Sequence, residues 1–155
     1  LSRVVSVALS TQLDTHDQTW ANDHSARLYA GFDALARLLT DLRDSEAPGG
    51  GSMLAKTSII AFSEFGRTPR LNERAGRDHH LGNCALVAGG GLRAGQLIGA
   101  SSDNAMGPEL INLQTGQPDE TGVSLMPEHV LATVLASGGV DPTELRVDPV
   151  PALIG

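Results

Sequence analysis

The chain of 155 residues has one cysteine, Cys84, so no disulfide can form within it. That leaves the compartment open, since cytosolic and exported proteins alike can carry few cysteines. Aromatic residues make up only 3% of the chain, with Trp20 the sole tryptophan, and offer no platform on which bases could stack. Basic residues are in deficit, 11 against 18 acidic, for a net charge of −7. Phosphate contacts need clustered Lys and Arg, so this balance argues against a nucleic-acid partner and favours divalent cations. No apolar run approaches the roughly 18 residues of a bilayer span. The chain starts at Leu1, and a strand-like run begins almost at once, which reads as a fragment. Neighbouring strands, part of an active site or an export signal would then lie upstream.

What is present fits one domain, residues 1–155, since 41% apolar content at this length supports a single hydrophobic core. Residues 3–10, rich in Val, read as a strand buried on both faces of a parallel sheet. Over residues 22–44 the period changes. Leu28, Phe32, Leu35, Leu39 and Leu42 recur at spacings of three and four, which predicts an amphipathic helix capped by Asn22 or Asp23. A flexible Pro/Gly/Ser breaker over 45–52 ends it, and 57–62 supply a second buried strand. A right-handed crossover in this β-α-β unit would put both strand ends on one edge of the sheet. The polar segment 63–82 is too long for a simple turn, and such loops are usually functional. Residues 83–88 read as a strand and 96–100 as a short antiparallel edge strand, with an irregular loop over 101–122. Pro127, an apolar face of Val130, Leu131, Val134 and Leu135, and the Gly138-Gly139 stop predict a final helix. The expected fold class is α/β, a mostly parallel sheet flanked by helices.

Three polar clusters sit where the strand-like runs stop: Asp14-Thr15-His16-Asp17, Ser63-Glu64-Phe65-Gly66-Arg67 and Gly76-Arg77-Asp78-His79-His80. Ligands collect beyond the carboxyl ends of strands in open α/β sheets, so the clusters are expected to converge on a metal site. Asp and neutral His suit Zn²⁺ and similar ions, and Asp14 and His16, two residues apart, can grip one ion from an extended segment. Asp17 and Asp23 are candidates for fixing a histidine tautomer from behind. The plainer account makes Asp14 and Asp17 turn residues and leaves His16 exposed. Glu64 directly follows an apolar strand and would face the crevice; its plainer role is a salt bridge to Arg67 or Arg70. Arg67 and Arg77 present forks that match a phosphate or sulfate ester, or Arg77 simply pairs with Asp78. His79 and His80 point opposite ways in an extended segment, so one of them, His79 by preference, joins Asp78 at the ion.

Other features carry less. Gly89-Gly90-Gly91 lacks the Lys-Ser or Lys-Thr of a phosphate loop and reads as a tight turn. Cys84 reads as a small buried hydrophobe, and His24 and His129 as surface or capping residues. Ser63, Thr15 and Thr68 lack the Gly-x-Ser-x-Gly setting of a hydrolase nucleophile.

Asp14-Thr15-His16-Asp17, Glu64-Phe65-Gly66-Arg67-Thr68-Pro69, Ala75-Gly76-Arg77-Asp78-His79, Ala88-Gly89-Gly90-Gly91-Leu92 and Gly95-Gln96-Leu97-Ile98-Gly99-Ala100 resemble, in order and spacing, the family known as domain of unknown function 1501. That family is related to the alkaline phosphatase and sulfatase superfamily, and the resemblance spans nearly the whole chain as the carboxyl-terminal part of a longer protein. It implies an α/β/α sandwich with one or two divalent ions, Zn²⁺ first and Mn²⁺ or Ca²⁺ next, acting on a small anionic ester. The implied metal ligands are Asp14, His16 and His79 for the first ion. Glu64 falls where the superfamily has an Asp-His pair for a second ion. Two departures weaken a second site: Phe65 cannot ligate, and the step from Asp14 to His16 is short. The superfamily's nucleophile lies upstream, so this segment alone is expected to be inactive. Members resemble exported bacterial proteins, which points to the periplasm. The alternative is an exported binding or structural protein that keeps the fold around a decayed site.

Overall fold

Helix α1 covers Ser25–Asp44 in the computed structural model, which describes residues 4–155, and is entered through a π-turn over Trp20–His24. Its sequence is dominated by Leu, Ala and Arg, all strong helix formers. The buried stripe is narrow: Gly31 and Leu35 are buried, Leu28, Leu39 and Leu42 are half-buried, and Phe32 is exposed. Gly31 matters because a Cβ there would lie 2.8 Å from the Leu9 carbonyl oxygen, so the incoming chain rests directly on this helix. Ser10 Oγ donates to the Arg27 carbonyl at 3.1 Å and fixes that contact. After Ser45, the expected breaker is a folded turn. Glu46 bridges to Ser52, Ala47 is buried beneath, and Gly49, Gly50 and Gly51 take φ of 85°, 89° and 79°, which glycine adopts without steric cost.

Residues 4–10 differ from the strand expected over 3–10; they run as extended coil with Val4 81% exposed and Val5 and Val7 also exposed. Arg3 lies outside the described residues. Strand β1 (Ser58–Phe62) forms where expected, but its partner comes later in the chain. The chain first makes β2 (Gly66–Arg67) and β3 (His79–His80), which pair with each other, and then β4 (Ala85–Gly89), which pairs with β1 in the register Ser58↔Gly89 to Phe62↔Ala85. Strands β5 (Leu110–Ile111) and β6 (Val123–Ser124) form the third pair. All three ladders among the described residues are antiparallel, and 4–10 do not lie beside β1 through a crossover. Neither run is fully buried, with Val4, Val5 and Val7 exposed and β1 half-buried only over Ile59, Ile60 and Ala61, because burial and the choice of neighbour both depend on packing from other segments. Residues 96–100 form no strand; Gly99 turns at φ 82° and donates to the Gly116 carbonyl. Cys84 is exposed just before β4, not buried in it.

Helix α2 (Pro127–Ser137) begins at Pro127 as predicted, and His129 Nδ1 accepts the Met126 N–H at 3.1 Å, so His129 is a capping residue, though a buried one. The tightest packing is here. Ile111, Ala132, Thr133 and Val150 are essentially inaccessible, and Thr133 Oγ1 donates to the His129 carbonyl at 2.6 Å while accepting the Val150 N–H at 2.8 Å. A buried hydroxyl with both roles filled costs little and ties the carboxyl-terminal segment to α2.

The accessible surface is 10739 Å² for 16.1 kDa. A closed monomer of that mass exposes about 7,400 Å², so roughly 3,300 Å² is in excess. Part of it is apolar, including Phe62 at the end of β1, 75% exposed, and Tyr29 and Phe32 on α1. No helix among the described residues is long and apolar enough to cross a membrane.

Candidate metal centre

The site is built by docking the loop between β2 and β3 onto the extended segment 13–17. The Arg77 N–H donates to the Thr15 carbonyl at 3.2 Å, Asn72 Nδ2 donates to the His16 carbonyl at 3.0 Å, and Asp17 bridges to Ala75. Gly76 sits in the contact: a Cβ there would fall 2.1 Å from both the Asp17 nitrogen and the His16 carbonyl carbon. Asn72 also closes the loop on itself, its side-chain oxygen accepting the N–H groups of Arg74 and Gly76. On the other side Gly66 approaches the Gly82 carbonyl so closely that a Cβ would lie 2.0 Å from it.

Alternation along an extended chain then sorts the side chains. Asp14 and His16 project to one side, while Thr15 between them turns inward and hydrogen-bonds His24 at 2.9 Å in a buried pair. Across β3, His79 faces Asp14 and His16, and His80 turns away to the Ala105 carbonyl at 2.9 Å. Three ligand atoms meet. His16 Nε2 and His79 Nε2 are 3.1 Å apart, and each is 2.9 Å from Asp14 Oδ1. Three tetrahedral ligands of a zinc-sized ion lie about 3.3 Å apart, so the triangle fits after spreading by a few tenths of an ångström.

The proton inventory sharpens this. His16 Nδ1 lies 2.7 Å from Asp78 Oδ1, and a carboxylate only accepts, so Nδ1 carries the proton and Nε2 offers a lone pair. That lone pair faces Asp14 Oδ1, itself an acceptor. The single Nε2 proton available on a neutral His79 cannot fill both its contact to Asp14 and its contact to His16. The His16 lone pair and Asp14 Oδ1 thus face each other as two acceptors, a contact that a cation between them would satisfy. Asp14 is correspondingly held at a pKa of about 2, first by the hydrogen bond from His79 and then by Arg67. Because that value lies below the ordinary one of 3.8, the contribution of Asp14 to folding is present above pH 3.8 and is lost as pH falls towards 2. Asp78 is also lowered, by His16 first and Asn72 next.

The remaining sequence candidates fall elsewhere. Glu64 is exposed and outside the three-residue group, and among the described residues it pairs with neither Arg67 nor Arg70. Asp78 stands behind His16, where it orients the ring, with Asn72 Nδ2 donating to it at 2.9 Å. It thus takes the role anticipated for Asp17 and Asp23. Asp17 instead accepts from the Thr19 N–H and hydroxyl, and Asp23 pairs with Arg27 at 3.2 Å. Arg67, only 10% exposed, donates to Asp14 Oδ1, the Leu13 carbonyl and the Arg77 carbonyl. Arg77 offers no free fork: Nη1 is used by the Thr68 carbonyl, the guanidinium lies 4.7 Å over the Trp20 ring, and buried Nε has no hydrogen-bond partner among the described residues. It does not pair with Asp78.

Sequence reasoning missed Asn72, Gly76 and the use of Phe65. The Phe65 ring stacks on His79 with centroids 3.6 Å apart and planes 17° apart, which fixes the imidazole in place of a ligand. A glycine and an asparagine inside a long polar loop are the signals that were available.

His24, read as a surface or capping residue, stands at the N-cap position of α1 without a side-chain cap and is buried against Thr15 and Trp20. Burial depresses its pKa below 6.5, with the charges of Arg67 and Arg27 adding to the effect. As pH falls through 6.5 the unfolded chain takes up the proton first, so the His24 contribution to stability declines on acidification. Melting temperatures measured from about pH 7 to about pH 5 should fall more steeply in the wild type than in His24→Asn. Equal slopes would contradict this.

No curated protein and no solved structure matches the chain. A family profile described as "Protein of unknown function (DUF1501)" matches residues 2–149, nearly the whole length. On that match, the chain belongs to the DUF1501 family.

Proposed function

We propose that this chain holds a divalent cation at Asp14, His16 and His79 and forms the metal-bearing part of a hydrolase for phosphate or sulfate esters, within an alkaline-phosphatase-like α/β/α domain. The observation that carries the reading is the meeting of three candidate ligand atoms, drawn from segments 63 and 65 residues apart, with the His16 lone pair turned onto Asp14. Two imidazoles and one carboxylate suit Zn²⁺ and leave a fourth position open, as catalytic rather than structural zinc requires. Mn²⁺ follows, and Ca²⁺, which takes six to eight oxygen ligands, fits least. A bound ion of this kind polarises an ester oxygen and lowers the pKa of coordinated water. The protein's part is to hold and orient: Asp78 sets the His16 tautomer, and Phe65 fixes the His79 ring.

No nucleophile is at hand in the cluster, since Thr15 turns to His24 and Ser63 Oγ donates to the Phe65 carbonyl. The uncovered apolar surface supports a domain whose sheet and nucleophile are completed by further polypeptide. Export to the periplasm belongs to the same reading, on the resemblance alone. A second reading, an exported binding or structural protein with a reduced site, is favoured by Phe65 in a ligand's place and by the exposed Glu64.

The test is metal content. Purified protein is expected to bind about one equivalent of Zn²⁺ and to melt higher with it, because a ligand that binds only the folded state stabilises that state. A metal-free protein whose melting temperature no divalent ion raises would end the metal reading. Chelator-sensitive turnover of p-nitrophenyl phosphate or sulfate supports the hydrolase, and stoichiometric metal without turnover supports the binding protein.

A further inference from the structure

We infer that Arg67 is a built-in competitor for the cation, a fixed positive charge on the one carboxylate oxygen the metal needs. The inference rests on the metal reading and adds how that site is regulated. Asp14 Oδ1 is 2.6 Å from Arg67 Nη2 and 2.9 Å from each imidazole nitrogen, so a cation among the ligands shares this oxygen with the guanidinium. Two features stop the guanidinium from yielding. It cannot lose its proton in a protein. It is also anchored, with Nη2 donating to the Leu13 carbonyl at 2.7 Å and Nη1 to the Arg77 carbonyl at 2.7 Å. Phe65 covers it from one side, with the guanidinium carbon 4.9 Å from the ring centroid.

Asp14 is 60% exposed, so repulsion between Arg67 and the ion is screened by water. Even so, a divalent ion about 4 Å from a unit charge loses about tenfold or more in affinity. The loss is similar for every divalent ion. Ions with strong intrinsic affinity for imidazole, Zn²⁺ above all, remain bound; weak binders such as Mn²⁺ and the hard ions Ca²⁺ and Mg²⁺ drop out. Arg67 therefore sets an affinity threshold that weak binders fail to reach, leaves the ratios between ions unchanged, and keeps the site exchangeable.

Zn²⁺ and Mn²⁺ are titrated calorimetrically into the wild type, Arg67→Gln, Arg67→Lys, and protein carrying citrulline in place of Arg67. Citrulline keeps planar N–H donors without the charge, so it guards against misfolding of the Gln variant. Affinity is expected to rise about tenfold or more in both neutral proteins, with Mn²⁺ binding becoming measurable, and to stay near wild type with Lys. Neutral proteins that fold and bind Zn²⁺ no better than the wild type would overturn the role of Arg67. If none of the four binds metal, the failure lies with the metal site itself.

Discussion

Gly76→Ala is expected to cost about 3 kcal/mol, near the upper end for forcing an extra methyl into a closed contact. For a chain of this size that lowers the melting temperature by roughly 6–12 °C. The new Cβ would sit 2.1 Å from the Asp17 nitrogen and from the His16 carbonyl carbon, both backbone atoms that no side-chain rotation can move aside. Relief requires the 68–78 loop to lift from segment 13–17. That motion breaks the Arg77 N–H to Thr15 carbonyl and Asn72 to His16 carbonyl bonds and draws Asp78 away from His16. Metal affinity should therefore fall together with stability. Gly107→Ala is the control, since its Cβ would meet nothing closer than 3.6 Å, and surface changes of that kind stay within about 0.5 kcal/mol. Thermal melts and Zn²⁺ titrations of the two variants check this, and a Gly76→Ala protein that melts like the control would refute the docking account.

Asp14→Asn and His79→Ala should each reduce Zn²⁺ affinity by at least about a hundredfold, beyond the range for residues that only orient ligands. Asp14 contributes the sole anionic ligand atom of the group, and His79 one of two imidazoles. Asp78→Asn should be milder, about tenfold to a hundredfold, because it leaves all three ligand atoms in place but no longer dictates which nitrogen of His16 carries the proton. Glu64→Gln, outside the group, should leave affinity unchanged. Competition titrations with a chromogenic chelator rank the four. A loss at Glu64 equal to that at Asp14, or none at His79, would show that the ion sits elsewhere.

Much of the site was legible from residue type and short spacing. Asp14 and His16 share a side because an extended chain alternates, and the same rule separates His79 from His80; both follow from neighbours one or two positions away. Helices α1 and α2 were readable for the same reason, since a period of three to four residues and flanking turn residues are local signals. Cys84 was misread, and the burial of His24 at the N-cap of α1 was missed, because burial of a single residue depends on what other segments place above it. The Val-rich run near the start shows the limit clearly: its composition suits a strand, yet over residues 4–10 it lies along α1 as coil.

By itself, then, the sequence determined the family, the two helices, and the residue types and alternation that place Asp14, His16 and His79 as candidate ligands. Only the tertiary structure decided that Asp78 stands behind His16, that Glu64 stays apart, that Arg77 is spent on Thr68 and Trp20, and that Arg67 claims Asp14. The physical reason is range. Alternation and helical period act over a few residues, whereas these partners lie more than fifty residues apart in the contacts to Asp14 and His16, where a tight glycine approach and backbone hydrogen bonds set the outcome.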